Sequence, residues 1–232
     1  NAVMKIGPEL IVMLTYEDLT VKNAIEIFEE CRNSKARYWG IKECPLPHEE
    51  MKMLFSRMKK CGKTTFLEVV AYTEQEGLEG AKVAVECGCD VLIGTTYFDS
   101  INRFCRQHNL KYMPFVGCVT GRPSVLSGEI DEMVAEAKSY LEKGVYGIDL
   151  LCYRYTGDPI ELQRAFRDGI NAPICLAGSI DSYEKLSDIK RFAPWTFTIG
   201  SAFFDGKFGD SFSEQIDKVC DFMHPGSEAQ NG

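Results

Sequence analysis

The chain has 232 residues, 45% of them hydrophobic and 26% charged, a globular composition long enough for one core without a disulfide or metal staple. Its 26 Lys and Arg are scattered among 34 Asp and Glu, for a net charge of −8, which argues against a nucleic-acid partner. No apolar run approaches the roughly 18 residues that cross a bilayer, and no charged-then-apolar leader opens the chain, so a cytoplasmic protein with no membrane segment is expected.

Asn1-Ala2 reads as a tag scar and residues 225–232 as a flexible polar tail, which leaves 3–224 as a single domain. Within it, a short apolar run, a turn and an amphipathic stretch recur about every 25–30 residues. The predicted strands are Leu10–Thr15, Tyr38–Lys42, Thr65–Ala71, Val91–Thr95, Tyr112–Gly117, Gly147–Leu151, Ile174–Ala177 and Thr196–Ile199. The intervening segments carry helix signals: Ile130, Met133, Val134, Ala137 and Leu141 fall at helical spacing before Gly144, and Val83, Ala84 and Cys87 before Gly88. Met51, Met53, Leu54 and Met58 read as one core-facing helical stripe. Eight strand-helix units in this length predict an α/β fold, a single (β/α)8 TIM barrel. An open doubly wound sheet normally carries a glycine-rich loop after its first strand, where this chain has Leu14-Thr15-Tyr16-Glu17-Asp18.

The ten cysteines sit singly, several inside apolar runs, with no Cys-x-x-Cys pair, and His48, His108 and His224 are far apart in sequence. Reduced thiols and no zinc or iron–sulfur site are expected.

Barrel enzymes place their active sites at the C-terminal ends of the strands. There the seventh predicted strand runs into Gly178-Ser179 and the eighth into Gly200-Ser201. Glycine lets a phosphate approach backbone N–H groups, serine adds a hydroxyl, and Ser201-Ala202-Phe203-Phe204 has the length of a short extra helix. Both pairs also suit plain tight turns, but two on adjacent strands at this location favour a phosphate site made of Gly178, Ser179, Gly200 and Ser201.

The segment from Ala172 to Phe208, with its Ala-Gly-Ser-Ile turn, a helix start near Asp181-Ser182 and then Thr198-Ile199-Gly200-Ser201-Ala202-Phe203-Phe204, resembles the ribulose-phosphate-binding barrel superfamily. The rest of the chain matches in rhythm, and the Asp-x-Lys-x-x-Asp run of the decarboxylase branch is missing from the third strand. The resemblance implies a (β/α)8 fold and a small phosphorylated substrate, and it is compatible with a homodimer.

Ionisable residues inside barrel strands are costly unless paired or used. Lys42 ends Tyr38-Trp39-Gly40-Ile41, Glu68 lies inside Phe66–Val70 and Asp149 inside Gly147–Leu151, and alternation points all three toward the barrel interior. A lysine between two carboxylates suits acid–base catalysis or an amine nucleophile, and a structural ion pair is the alternative. Thr15, Thr95 and Arg122 are candidate substrate-binding residues, Arg122 from a Val119–Gly128 loop that reads as a lid. Arg154 and Tyr155, just past the sixth strand, are candidates of the same kind. The predicted function is a phosphosugar epimerase or isomerase using Lys/carboxylate chemistry, with a Schiff-base aldolase or decarboxylase, or a non-catalytic phosphate-binding barrel, as alternatives. No cofactor and no resident metal are called for, although Glu68 and Asp149 are oxygen donors of a kind magnesium accepts.

Overall fold

The structure, a computed structural model, describes residues 7–226. The Asn1-Ala2 reading, and the tail beyond Gly226, lie outside these residues. In chain order the strands are β1 (Glu9–Met13), β2 (Thr15–Tyr16), β3 (Leu19–Thr20), β4 (Tyr38–Lys42), β5 (Thr64–Val69), β6 (Val91–Gly94), β7 (Lys111–Met113), β8 (Cys118–Thr120), β9 (Val125–Ser127), β10 (Ile148–Leu150), β11 (Ile174–Leu176) and β12 (Thr196–Ile199). The helices are α1 (Ala24–Cys31), α2 (His48–Lys60), α3 (Glu74–Glu86), α4 (Asp99–Gln107), α5 (Ile130–Glu142), α6 (Pro159–Gly169), α7 (Tyr183–Phe192), α8 (Ser201–Phe204) and α9 (Phe212–Met223).

Eight strands pair in parallel in the order β10-β11-β12-β1-β4-β5-β6-β7. The sheet then closes on itself: Asp149 N–H donates to Pro114 O at 2.9 Å, Tyr146 N–H donates to Tyr112 O at 2.9 Å, and Phe115 bridges Asp149. The predicted barrel is therefore present. Its fifth strand is shorter than Tyr112–Gly117 because Pro114 has no N–H to continue the ladder. The first strand also ends early, at Met13, and the following residues fold back as the β2–β3 hairpin.

Helix boundaries follow local chemistry. Ser182 caps α7 by accepting from Lys185 N–H at 3.2 Å, and Asp158 caps α6 ahead of Pro159. Gly88 and Gly144 leave α3 and α5 at φ +70° and +96°, values glycine reaches without a Cβ clash. Met51, Leu54 and Met58 are buried as expected, whereas Met53 is 59% exposed and belongs to the solvent face of α2. All ten cysteines are free thiols. Among the described residues no helix is long and apolar enough to cross a membrane.

Candidate active site

The C-terminal mouth of the barrel holds a cavity of about 190 Å³ lined by Thr15, Asp18, Lys42, Glu68, Arg154, Gly178, Ser179, Gly200 and Ser201, among others. Lys42 and Glu68 meet because they are register partners on β4 and β5, so their side chains leave the sheet on the same side. Lys42 Nζ lies 3.1 Å from Glu68 Oε1 and 2.7 Å from Asp18 Oδ1, with all three side chains buried.

Asp18 comes from the β2–β3 hairpin, whose two central residues, Glu17 and Asp18, have φ of +50° and +65°. Two positive φ values are the geometry of a type I′ turn, which matches the twist of the flanking strands. The turn delivers a carboxylate that the periodicity of the barrel strands does not announce. Thr20 Oγ1 fixes this hairpin to the Lys42 backbone, donating to Lys42 O and accepting from Lys42 N–H, each at 2.9 Å.

Arg154 completes the cluster, its two terminal nitrogens donating to both Asp18 oxygens at 2.8 and 2.9 Å. Ser124 N–H adds a third donor at 3.1 Å. Burial works against the Asp18 carboxylate, but the Arg154 hydrogen bonds and the Lys42 charge outweigh it and hold this carboxyl well below the usual range. Asp149 is different. It is 1% exposed, and burial, followed by the neighbouring Glu68 carboxylate, pushes its carboxyl well above the ordinary range. It points inward on β10 as expected but stands behind Glu68, away from the cavity lining.

At the other end, Gly178 and Ser179 have φ of +86° and +59°, and a Cβ on Gly178 would lie 2.5 Å from Arg154 Nε. A Cβ on Gly200 would lie 2.6 Å from Thr15 Oγ1 and 3.1 Å from Thr15 O. Glycine at 200 thus leaves room for Thr15 of β2. Ser201 opens α8, the short helix expected after β12, and its Oγ accepts from Glu17 N–H at 2.9 Å. The leading amides of a helix have no intrahelical acceptor and are free to bind an anion. Asp181 and Asp205 also line this end, but Lys185 Nζ lies 3.0 Å from Asp181, Tyr16 donates to Asp205 at 3.0 Å, and Lys207 adds a positive charge.

Two predicted substrate contacts lie elsewhere. Thr95 is fully buried and hydrogen-bonds the Tyr112 hydroxyl and Thr96 O. Arg122 is committed to Glu43 and to the Asp18 carbonyl, so it ties down the expected lid, which is the β8–β9 hairpin, instead of lining the cavity. Arg154 takes the place facing the cavity that the sequence suggested for Arg122. Magnesium suits this arrangement poorly, since Asp149 is shielded from the cavity and the Lys42 ammonium occupies the open side of Glu68. Among the described residues no group of three or more His, Cys, Asp or Glu side chains is arranged to hold a metal ion.

Fold and site together define a (β/α)8 barrel with a polar pocket at its C-terminal mouth. No protein-family model and no curated protein matches the sequence. Solved structures do share the fold. Orotidine 5'-phosphate decarboxylase from Pyrococcus horikoshii OT3 aligns at a TM-score of 0.64 and 14% identity, covering 92% of this chain and 98% of that one. A 4-hydroxy-2-oxoglutarate aldolase from TTHB1 aligns at 0.66 and 13% identity, covering 94% and 96%. Tryptophan synthase subunit alpha from Legionella pneumophila aligns at 0.63 and 13%, covering 93% and 92%. At such identities the likeness is one of fold, the (β/α)8 barrel.

Proposed function

We propose that this protein is an enzyme acting on a small phosphorylated metabolite, by proton transfer beside a carbonyl group. The observation that carries this reading is a single cavity lined at one end by both Gly-Ser turns and at the other by Asp18, Lys42 and Glu68. A phosphate held by amides at Gly178, Ser179, Gly200 and Ser201 orients the substrate, and its carbonyl end then meets Lys42. Lys42 serves as the acid that stabilises the developing oxyanion, and Glu68 is the neighbouring base. Thr15 and Arg154 shape the wall between the two ends, and no cofactor takes part.

An epimerase or isomerase is the first form of this reading. A Schiff-base lyase is the second, favoured by the place of Lys42 in the cavity lining and by the aldolase and decarboxylase names among the structural neighbours. It requires Lys42 to leave both carboxylates before attacking a carbonyl carbon. Incubation with a panel of phosphosugars and phosphorylated keto acids in deuterated water, with and without borohydride, separates the two. Deuterium incorporation without trapping identifies proton transfer, and reductive trapping at Lys42 identifies the lyase. Phosphate binding with neither result would leave a non-catalytic binder.

A further inference from the structure

Behind the Lys42 pair lies an unsolved electrostatic problem. Both carboxyl oxygens of Asp149 and Oε2 of Glu68 are buried and have no hydrogen-bond donor within the described residues. Among the described residues no Lys or Arg lies within ion-pair distance of Asp149, and the Glu68 oxygen that does meet a cation is Oε1, on Lys42. The surroundings offer Asp149 no relief. Cys175 is its register partner on β11 and Cys152 follows on the same segment, and burial keeps both thiols neutral. Lys42 and Arg154 are the cations whose fields reach it, and both are engaged by Asp18. The backbone of Asp149 is itself fixed at the seam of the barrel by its N–H bond to Pro114 O.

Two adjacent carboxylates without donors are not tolerated in such a place, and one proton removes one of the two charges and gives Glu68 Oε2 a donor. We propose that Glu68 and Asp149 hold a single proton between them at neutral pH, with Asp149 as its resting place and the positioning residue for Glu68. The Asp149 O–H donates to Glu68 Oε2, leaving Oε1 to accept from Lys42. Each Glu68 oxygen then has one donor, and the carboxylate is held in one orientation toward the cavity.

This inference rests on the reading of Lys42 and Glu68 as the acid–base centre, but its test needs no substrate. Infrared spectroscopy of the intact protein at pH 7 should show a protonated-carboxyl C=O stretch that shifts when water is exchanged for deuterium oxide. Labelling aspartate with carbon-13 at the side-chain carboxyl should move that band, assigning it without mutation. Asp149→Asn should abolish it, while Glu68→Gln should leave it present and displaced, because its acceptor has changed. A folded wild-type protein without the band, or a band that ignores aspartate labelling, overturns the proposal. Calorimetric titration of the same protein with inorganic phosphate tests the other half of the site. Absence of phosphate binding alongside an intact band would sink the phosphate reading and leave the shared proton standing.

Discussion

At the scale of single residues the site works by opposed environments. Asp18 is surrounded by donors and stays ionised, while Asp149 has none and keeps its proton. The two therefore bend stability in opposite directions. The Asp18 contribution is present above the ordinary carboxylate range, near 3.9, and is lost as pH falls through its depressed folded value. The Asp149 carboxyl titrates higher in the folded chain than in the unfolded one, so the folded chain binds the extra proton and stability declines as pH rises above the ordinary range. Asp149→Asn should flatten that decline in melting curves taken across pH, and an unchanged slope would show that Asp149 is not its source. Ser201→Ala should weaken inorganic phosphate by about 1 kcal/mol for one lost hydrogen bond. Gly200→Val should do more harm, since its side chain meets Thr15 Oγ1 and O; equal phosphate affinity in a folded variant, by calorimetry, would place the anion elsewhere. Lys42→Met leaves Glu68 Oε1 without its cation and should cost on the order of 3 kcal/mol of stability by denaturant titration, together with all turnover.

At the scale of elements the two hairpins matter more than their length suggests. The β2–β3 turn carries Asp18, and the β8–β9 hairpin closes over it through Ser124 N–H, Arg122 and a bond from the Tyr72 hydroxyl to Gly121 O at 2.5 Å. Arg122→Leu should free this hairpin without removing any cavity-facing group. Its expected signature is faster hydrogen exchange from Cys118 to Ser127, while β4 and β5 are unaffected. Thiol chemistry offers a second check on the same hairpin. Cys118 is exposed on β8, whereas Cys31, Cys87, Cys89, Cys105, Cys152 and Cys175 are buried. A maleimide should therefore label Cys118 first in the native protein, as read by peptide mass mapping. Rapid labelling of Cys152 or Cys175 would contradict the packing around Asp149.

For the whole molecule, closure is uneven. β4 and β5 share five register pairs, whereas β7 and β10 meet through the Phe115–Asp149 bridge and two flanking backbone bonds. Local opening follows the weakest pairing. The amides of Tyr146 and Asp149 should exchange before those of β4 and β5, and hydrogen exchange with residue resolution measures the order. The seam is also where Asp149 is anchored, so opening it exposes the buried carboxyl pair.

How much of this was legible in the sequence follows from the range of the forces involved. The eight strands, the helix stops at Gly88 and Gly144 and the two Gly-Ser turns are local matters of periodicity and backbone freedom, so they could be read directly. The inward direction of Lys42, Glu68 and Asp149 followed from alternation along each strand. Asp18 escaped because a Tyr16-Glu17-Asp18-Leu19 stretch carries no glycine to mark a type I′ turn, and its value lies in contacts with Arg154, 136 positions away. Arg122 and Arg154 both follow a strand or loop end, and only packing decided that the first is spent on Glu43 while the second faces the cavity. Residue types and their order determined the barrel and the kinds of group at its mouth. Tertiary structure decided which charges are partnered, because burial and the distance to a donor are properties of assembled space.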